Sequence, residues 1–110
     1  MRSVYLAAPY TIGDQALNVR HSLEVADTLL PWFVPFCPLL SHFWHMISPK
    51  DYITWLRYSL DWLERCDYVL RLPGDSLGAD VEVAHAQKLG IPIFYSVAEL
   101  LQHDTITYKG

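Results

Sequence analysis

The stretch LPGDSLGADVEVAHA, residues 72–86, decides how the chain folds. The apolar run before it, Tyr68–Leu72, is typical of a buried strand. The alanine-rich segment 78–90 predicts a helix, with Gly90 as its left-handed cap. A strand that turns tightly into a helix is the repeating unit of α/β proteins, and here it leaves Glu82 near the helix start, just past the turn.

The same alternation of strand and helix extends through the rest of the chain. We expect a strand over Ser3–Ala8, a helix from about Asp14 to near Pro31, a short strand opening into a loop over Phe33–Leu40, a long aromatic loop over Ser41–Asp51, a helix over Tyr52–Cys66, a strand over Ile91–Ser96, a short helix over 97–103 and an edge strand over 105–108. This order predicts a parallel sheet with helices on both faces. Such sheets bind ligands at the carboxyl ends of their strands, here Pro9–Gly13, Cys37–Asp51 and Pro73–Gly78.

Length, composition and charge indicate one small folded domain and argue against nucleic-acid-binding and membrane-spanning proteins. A chain of 110 residues, 52% hydrophobic and 18% charged, suits one folded domain over residues 1–110. The net charge of −4 and the absence of clustered Lys and Arg argue against a nucleic-acid polymer as partner. No apolar stretch is long enough to span a membrane, and a strand beginning at Ser3 leaves no room for a signal peptide, so we expect a cytoplasmic protein. The isolated Cys37 and Cys66 suit reduced, packed thiols.

The turn PGDSLG admits two interpretations. Gly74 and Gly78 permit close backbone approach, Ser76 suits a helix cap, and free amides at a helix start attract a phosphate. The same residues suit a plain capped turn, because the stretch matches neither the Walker pattern nor GxGxxG. Glu82 is equally open, since acids are common near helix starts, yet a carboxylate facing a strand-end cleft can act as nucleophile or base.

Histidines supply a further set of candidates. His42 and His45, three residues apart, suggest a metal site together with Asp51, but the chain lacks HExxH and a clear third ligand. Histidines beside an aromatic pocket wall are the favoured interpretation. His85 lies one helical turn after Glu82. It either adjusts the acidity of Glu82 or occupies the exposed side of the helix.

Three stretches in order resemble one family: VYLAAPYT near the start, WLRYSLDWLERCDYVLRLPG in the middle and SLGADVEVAHAQKLGIPI after it. They are similar to the nucleoside 2-deoxyribosyltransferase superfamily, which includes the 2'-deoxynucleoside 5'-phosphate N-hydrolases and small uncharacterised bacterial and phage domains. The resemblance covers about Val4–Ile93. It implies a Rossmann-like (flavodoxin-like) three-layer sandwich with a four- to five-stranded parallel sheet, and cleavage of an N-glycosidic bond.

The resemblance also implies roles for individual residues. Glu82 matches the nucleophile that attacks the anomeric carbon, and Tyr5 matches the tyrosine that orients it. Ser76 and Gly78 match residues that receive the 5'-phosphate. Bordering the sugar and phosphate are Pro9, Tyr10 and Thr11. For the base, we expect stacking by Phe43 and Trp44, with Trp55 as a further candidate.

One position departs from the family pattern. Where the family has an aspartate that works on the base or sugar, SLDWLERCD has Ser59. Asp61 lies about 200° further round the helix and does not replace it. The remaining acids are Asp80 and Asp51, and both also suit helix starts.

The leading hypothesis is therefore cleavage or transfer at the N-glycosidic bond of a (deoxy)nucleoside or its 5'-monophosphate. It requires no metal or organic cofactor. The alternative is a catalytically silent nucleotide-binding module. Relatives assemble as homodimers or larger, with neighbouring subunits completing each site, and the high aromatic content, 14%, agrees with a subunit interface.

Overall fold

A four-stranded parallel sheet organises the computed structural model, which describes the backbone of residues 1–109 and the side chains of residues 1–105. In chain order the elements are β1 (Ser3–Ala7), α1 (Gln15–Leu29), β2 (Val34–Phe36), α2 (Ser41–Ile47), α3 (Tyr52–Leu63), β3 (Tyr68–Arg71), α4 (Leu77–Leu89), β4 (Ile93–Phe94) and α5 (Val97–Lys109). A 3-10 turn, Pro38–Leu40, precedes α2.

The strand order places a topological switch point at the centre of the sheet. The order is β2-β1-β3-β4, and every neighbouring pair is parallel. Tyr5 on β1 lies opposite Phe36 of β2 and Val69 of β3. From β1 the chain passes to one side and then returns to the other side of β1. The carboxyl ends of β1 and β3 therefore flank the crevice in which open α/β sheets bind their ligands.

Alternate strand residues build two separate cores. Val4 and Leu6 point to one face of the sheet and pack with Leu29 of α1 and Leu100 of α5. Tyr5 points to the other face. The cluster there adds Ala7, Val69, Leu63 of α3, and Ala79 and Ala86 of α4. This arrangement confirms the three-layer α/β sandwich and the four-stranded parallel sheet expected from the sequence.

Side-chain caps begin the helices where the sequence predicts them. The carboxylate of Asp14 accepts from Leu17 N, and that of Asp51 accepts from Thr54 N at 2.8 Å. Ser76 Oγ accepts from Ala79 N at 3.1 Å. Gly90 ends α4 with φ +73°, a left-handed conformation in which glycine carries no steric cost.

Two elements differ from the sequence-based expectation. The loop expected over Ser41–Asp51 contains helix α2, which begins without a side-chain cap and so lacks the usual start signal. The edge strand expected over 105–108 is wrong, because helix α5 continues to Lys109. β-branched residues favoured a strand there, but that preference is weak and the helix begun at Val97 overrides it.

Two further expectations concern membrane-spanning segments and the two cysteine thiols. No helix among the described residues is both long and apolar enough to cross a membrane. Cys37 and Cys66 are free and buried, and burial raises the pKa of both thiols. They are packing groups, as their isolation in the sequence predicts.

Candidate active site

A cavity of about 410 Å³ opens at the carboxyl ends of β1 and β3. It is formed by the loop after β1, the 3-10 turn and α2, one face of α3 and the start of α4. Its described lining residues are Ala8, Tyr10, Thr11, Gln15, Pro38, Leu39, Ser41, His42, His45, Lys50, Tyr52, Trp55, Leu56, Ser59, Ser76, Gly78, Ala79 and Glu82. All three strand-end segments chosen from the sequence contribute to this wall.

Glu82 is the single carboxylate among these lining residues. It projects from the buried side of α4, is 7% exposed, and accepts a hydrogen bond from the hydroxyl of Tyr5. Tyr5 is fully buried and points from β1 to the same face of the sheet. The structure thus brings together the two residues that the family resemblance pairs, although they are 77 positions apart.

Burial controls the protonation of Glu82. Loss of water around the carboxyl raises its pKa from an ordinary 4.5 to about 8. The hydrogen bond from Tyr5 favours the charged form, but desolvation is the larger effect. The unliganded site therefore holds Glu82 mainly as the neutral acid at neutral pH, and a pKa in this range suits a group that exchanges a proton during a reaction.

The turn before α4 supplies backbone and a hydroxyl to the cavity. Ser76 and Gly78 both line it, and Ser76 Oγ is engaged in capping the helix. A Cβ added at Gly78 would make only ordinary contacts, with Tyr52 Oη at 3.8 Å and Ser76 Oγ at 3.9 Å, so there is space beside its backbone for a small group. Exposed amides at the first turn of a helix are suited to an anionic group.

Gly74 joins this turn to the loop after β1. Its φ is +117°, and a Cβ added there would lie 2.9 Å from Pro9 Cγ. Pro9 packs against this glycine and is not among the described lining residues. Pro9 therefore contributes to the cavity indirectly, because it keeps the loop after β1 in contact with the loop after β3.

Arg71 binds the same turn through its guanidinium group. One guanidinium nitrogen donates to Gly74 O at 2.8 Å and lies 3.2 Å from Asp80, and the other bonds to Leu72 O. The pairing turns Asp80 toward Arg71, and Asp80 does not line the cavity. Of the acids weighed from the sequence, Asp80 is thus engaged in an ion pair and Asp51 in a helix cap.

Ser59 lies in the cavity wall where the family pattern has an aspartate. Asp61 is exposed on another side of α3 and does not line the cavity, as the helical rotation predicts. Among the described residues, the wall therefore offers a hydroxyl, and no second carboxylate, at this position.

His42 and His45 also line the cavity, but each is held by other partners. Tyr10 Oη lies 2.6 Å from His42 Nδ1, and Trp55 Nε1 donates to His45 Nδ1 at 2.8 Å. Asp51 is bound to Thr54. Within the described part of the chain no three His, Cys, Asp or Glu residues are grouped to hold a metal ion.

Phe43 and Trp44 lie on the outer side of α2 and are about half exposed, at 52% and 47%. Neither is among the described lining residues, and Trp44 packs edge-on against Trp55 and Tyr58. The aromatic residues in the wall are Tyr10, Tyr52 and Trp55.

Gln15, Lys50 and Tyr52 are lining residues that the sequence interpretation did not select. Tyr52 was detectable, because it shares an aromatic stripe of α3 with Trp55 and Ser59 at spacings of three and four. No sequence signal marks Gln15 or Lys50. His85, by contrast, lies 2.9 Å from the carboxylate of Glu64, the residue that follows α3, and is not among the lining residues.

Comparison with solved structures places this arrangement among known folds. A 2-deoxyribosyltransferase from the psychrotolerant bacterium Bacillus psychrosaccharolyticus superposes with a TM-score of 0.60 at 20% identity, over 83% of this chain and 69% of that one. The chain has the deoxyribosyltransferase fold. A 2-deoxyribosyltransferase from Leishmania mexicana gives a TM-score of 0.63 at 18% identity, over 84% of this chain and 62% of its own length.

This likeness confirms the fold that the sequence resemblance implies. The chain spans about two thirds of the length of each of these deoxyribosyltransferases. No protein-family model matches the chain, and no curated protein matches it significantly.

Proposed function

We propose that this chain cleaves or transfers at the N-glycosidic bond of a (deoxy)nucleoside or its 5'-monophosphate, with Glu82 as the nucleophile. The observation that carries the proposal is Glu82 in the wall of the switch-point cavity, with its carboxyl group bound by the hydroxyl of the fully buried Tyr5. The two solved structures of like fold are both named 2-deoxyribosyltransferases, which supports the same substrate class. The cavity volume of about 410 Å³ is within the range of small-ligand sites.

The first step uses Glu82 in its ionised form. A carboxylate oxygen bonds to C1' of the sugar while the C1'–N bond breaks, and the base leaves with the electron pair of that bond. The transition state carries positive charge on the sugar, which an adjacent carboxylate stabilises. The hydroxyl of Tyr5 holds the other carboxylate oxygen and fixes its orientation.

The second step releases the sugar. A water molecule gives hydrolysis and an incoming base gives transfer, and in either case the glutamyl ester bond breaks and the carboxylate returns. The departing base must gain a proton. Because Ser59 stands where a carboxylate is expected, the side chains of the described wall that could donate this proton are hydroxyls, imidazoles and the ammonium group of Lys50.

The decisive experiment is base release from a panel of nucleosides. The purified protein is incubated with the four 2'-deoxynucleosides, their 5'-monophosphates and the ribose counterparts, and free base is measured by chromatography. Glu82→Gln keeps the shape of the side chain and removes the nucleophile, so we expect base release to fall at least 100-fold. Base release that persists at full rate in Glu82→Gln would exclude Glu82 as the nucleophile.

A second function, a catalytically silent nucleotide-binding module, is favoured by Ser59 and by the protonated state of Glu82 at neutral pH. It predicts no base release together with a rise in melting temperature on adding a monophosphate.

Adding a second base to a reacting mixture separates transfer from hydrolysis, because only transfer forms the new nucleoside.

Self-association remains a prediction that the sequence resemblance supplies. The outer side of α2 carries exposed apolar side chains, which are Phe43, Trp44, Met46 and Ile47. Light scattering after size exclusion is expected to give twice the chain mass of 12.7 kDa or more. A monomer at micromolar concentration would contradict the prediction.

A further inference from the structure

The ring of His45, on α2, is held in one orientation by α3 and by the segment that connects the two helices. Trp55 Nε1 on α3 donates to His45 Nδ1 at 2.8 Å, and the backbone N of Lys50, in the connecting segment, donates to the same atom at 3.2 Å. The Trp55 ring in turn packs edge-on against Trp44, with centroids 5.1 Å apart. The imidazole is therefore held by two hydrogen bonds, and its ring also packs against Trp55, with centroids 6.0 Å apart.

These two partners determine where the imidazole carries its hydrogen. An indole N–H and a backbone N–H are donors only, so His45 Nδ1 must be the acceptor and cannot carry a hydrogen. A charged imidazolium would place a hydrogen on Nδ1 facing both donors. The ring is therefore neutral, with its hydrogen on Nε2.

His42 provides a contrast within the same wall. Its Nδ1 faces the hydroxyl of Tyr10 at 2.6 Å, and a hydroxyl both donates and accepts. The geometry leaves the tautomer of His42 open, whereas it fixes that of His45. Among the described residues, His45 Nε2 has no hydrogen-bond partner, so its hydrogen is free for a ligand.

We propose that His45 binds the nucleobase of the ligand, with Nε2–H as a fixed neutral donor to a ring nitrogen or carbonyl oxygen of the base. The proposal rests on the proposed function for the placement of the ligand. Glu82 marks the position of C1', and the first turn of α4 marks the position of a 5'-phosphate. The base then extends toward α2 and α3, where His45, Tyr52 and Trp55 line the cavity.

A fixed donor has a consequence for specificity. It accommodates bases that present an unprotonated acceptor and disfavours those that present N–H at the same place, because two opposed donors are left unpaired. His45 is thus a specificity-determining residue, while Trp55 is the positioning residue that sets its tautomer.

The tautomer is tested directly by NMR of protein labelled with 15N at histidine. Two-bond correlations distinguish Nε2–H from Nδ1–H, and the His45 signals are assigned by their loss in His45→Gln. We expect the neutral Nε2–H form at pH 7 without ligand. An Nδ1–H form or an imidazolium there would overturn the inference while leaving the proposed function standing.

Contact with the base is tested by titrating the same labelled protein with each of the four 2'-deoxynucleosides and, separately, with 2-deoxyribose. We expect at least one nucleoside to move the Nε2–H resonance of His45, and 2-deoxyribose to leave it in place. A shift produced equally by the sugar would overturn the assignment to the base. The absence of any shift, including the case in which no nucleoside binds, would also overturn it.

A matched pair of substitutions separates the ligand contact from the structural one. His45→Asn places an oxygen near the position of Nδ1 for Trp55 but removes the Nε2 donor, whereas His45→Gln places an amide donor near the position of Nε2. Calorimetry is expected to show nucleoside affinity about tenfold weaker or more in His45→Asn and within about threefold of wild type in His45→Gln. His21→Gln, an exposed histidine on α1 outside the cavity, serves as the control.

Equal affinity in wild type and His45→Asn, or equal losses in both variants with unchanged melting temperature, would overturn the inference. The outcomes also separate it from the proposed function. If the tautomer, the resonance shift and the affinity pattern all hold but no base is released, His45 reads a base in a binding module, and the failure belongs to the chemical step at Glu82.

Discussion

The hydroxyl of Tyr5, on the central strand β1, donates a hydrogen bond to Glu82, on helix α4, and both side chains are withdrawn from solvent. Tyr5 belongs to the core cluster between the sheet and helices α3 and α4, whereas Glu82 lines the cavity. This contact between α4 and the sheet therefore sets the direction of the proposed nucleophile, whereas burial raises its pKa.

Tyr5→Phe removes this hydrogen bond and leaves the ring in place. Because a donated hydrogen bond favours the carboxylate, its loss raises the pKa of Glu82 above about 8. The profile of kcat/KM against pH, which rises with ionisation of Glu82, is expected to move to higher pH, with activity at pH 7 about tenfold lower. A profile that does not move would show that Tyr5 does not influence Glu82 in the free protein.

Stability is expected to depend on pH through Glu82. Its pKa is higher in the folded state than in the unfolded chain, so the folded state binds the proton more tightly and loses stability as pH rises from about 4.5 to about 8. A displacement of this size corresponds to roughly 4 to 5 kcal/mol at alkaline pH.

Glu82→Gln cannot ionise and isolates this effect. Chemical denaturation at pH 5 and at pH 9 is expected to show the variant gaining several kcal/mol relative to wild type at the higher pH. A difference between the two proteins that stays constant from pH 5 to pH 9 would contradict the raised pKa.

Ser59→Asp restores a carboxyl group to the cavity wall at the position where the family pattern has one. If proton delivery to the departing base limits the reaction, base release is expected to rise at least about tenfold. Asp61→Asn, on an exposed side of the same helix, is the matched control and should leave the rate unchanged. A lower rate in Ser59→Asp would show that the added charge hinders ionisation of Glu82 more than it helps the base to leave.

Gly74→Ala and Gly78→Ala test the two glycines of the turn separately. An alanine at Gly74 meets both a φ of +117° and Pro9 Cγ at 2.9 Å, so we expect a loss of about 1 to 3 kcal/mol in the free energy of unfolding. An alanine at Gly78 meets nothing closer than 3.8 Å and lies within a helix, so stability should stay the same or rise. Thermal denaturation of both variants decides between these roles, and a destabilised Gly78→Ala would contradict the open geometry.

The sequence predicts the sheet and most of the site because these depend on local signals. Apolar strands, the caps Asp51 and Ser76, and Gly90 each act within a few residues, and the structure has them where expected; the first helix also begins near Asp14, which caps it. The pairing of Tyr5 with Glu82 came from the family resemblance, since no local pattern connects positions 77 apart.

The features that the sequence did not predict depend on tertiary packing. Helix α2 has no side-chain cap, and its aromatic residues gave no clear periodicity, so it was expected to be a loop. As a helix, it turns Phe43 and Trp44 outward and His42 and His45 inward. Where the sequence shows no helical periodicity, contacts with neighbouring elements set the direction of each side chain. Here Tyr10 contacts His42 and Trp55 contacts His45.

The position of Glu82 on α4 has a consequence for the size of the ligand. Glu82 lies six positions after the cap Ser76, and a helix advances about 1.5 Å per residue, so the two residues are about 9 Å apart along the helix axis. A single inserted residue between them would rotate the carboxylate by about 100°. Under the proposed function, the helix would therefore fix, independently of the loops around it, how far a 5'-phosphate bound at its first turn lies from the sugar carbon at Glu82.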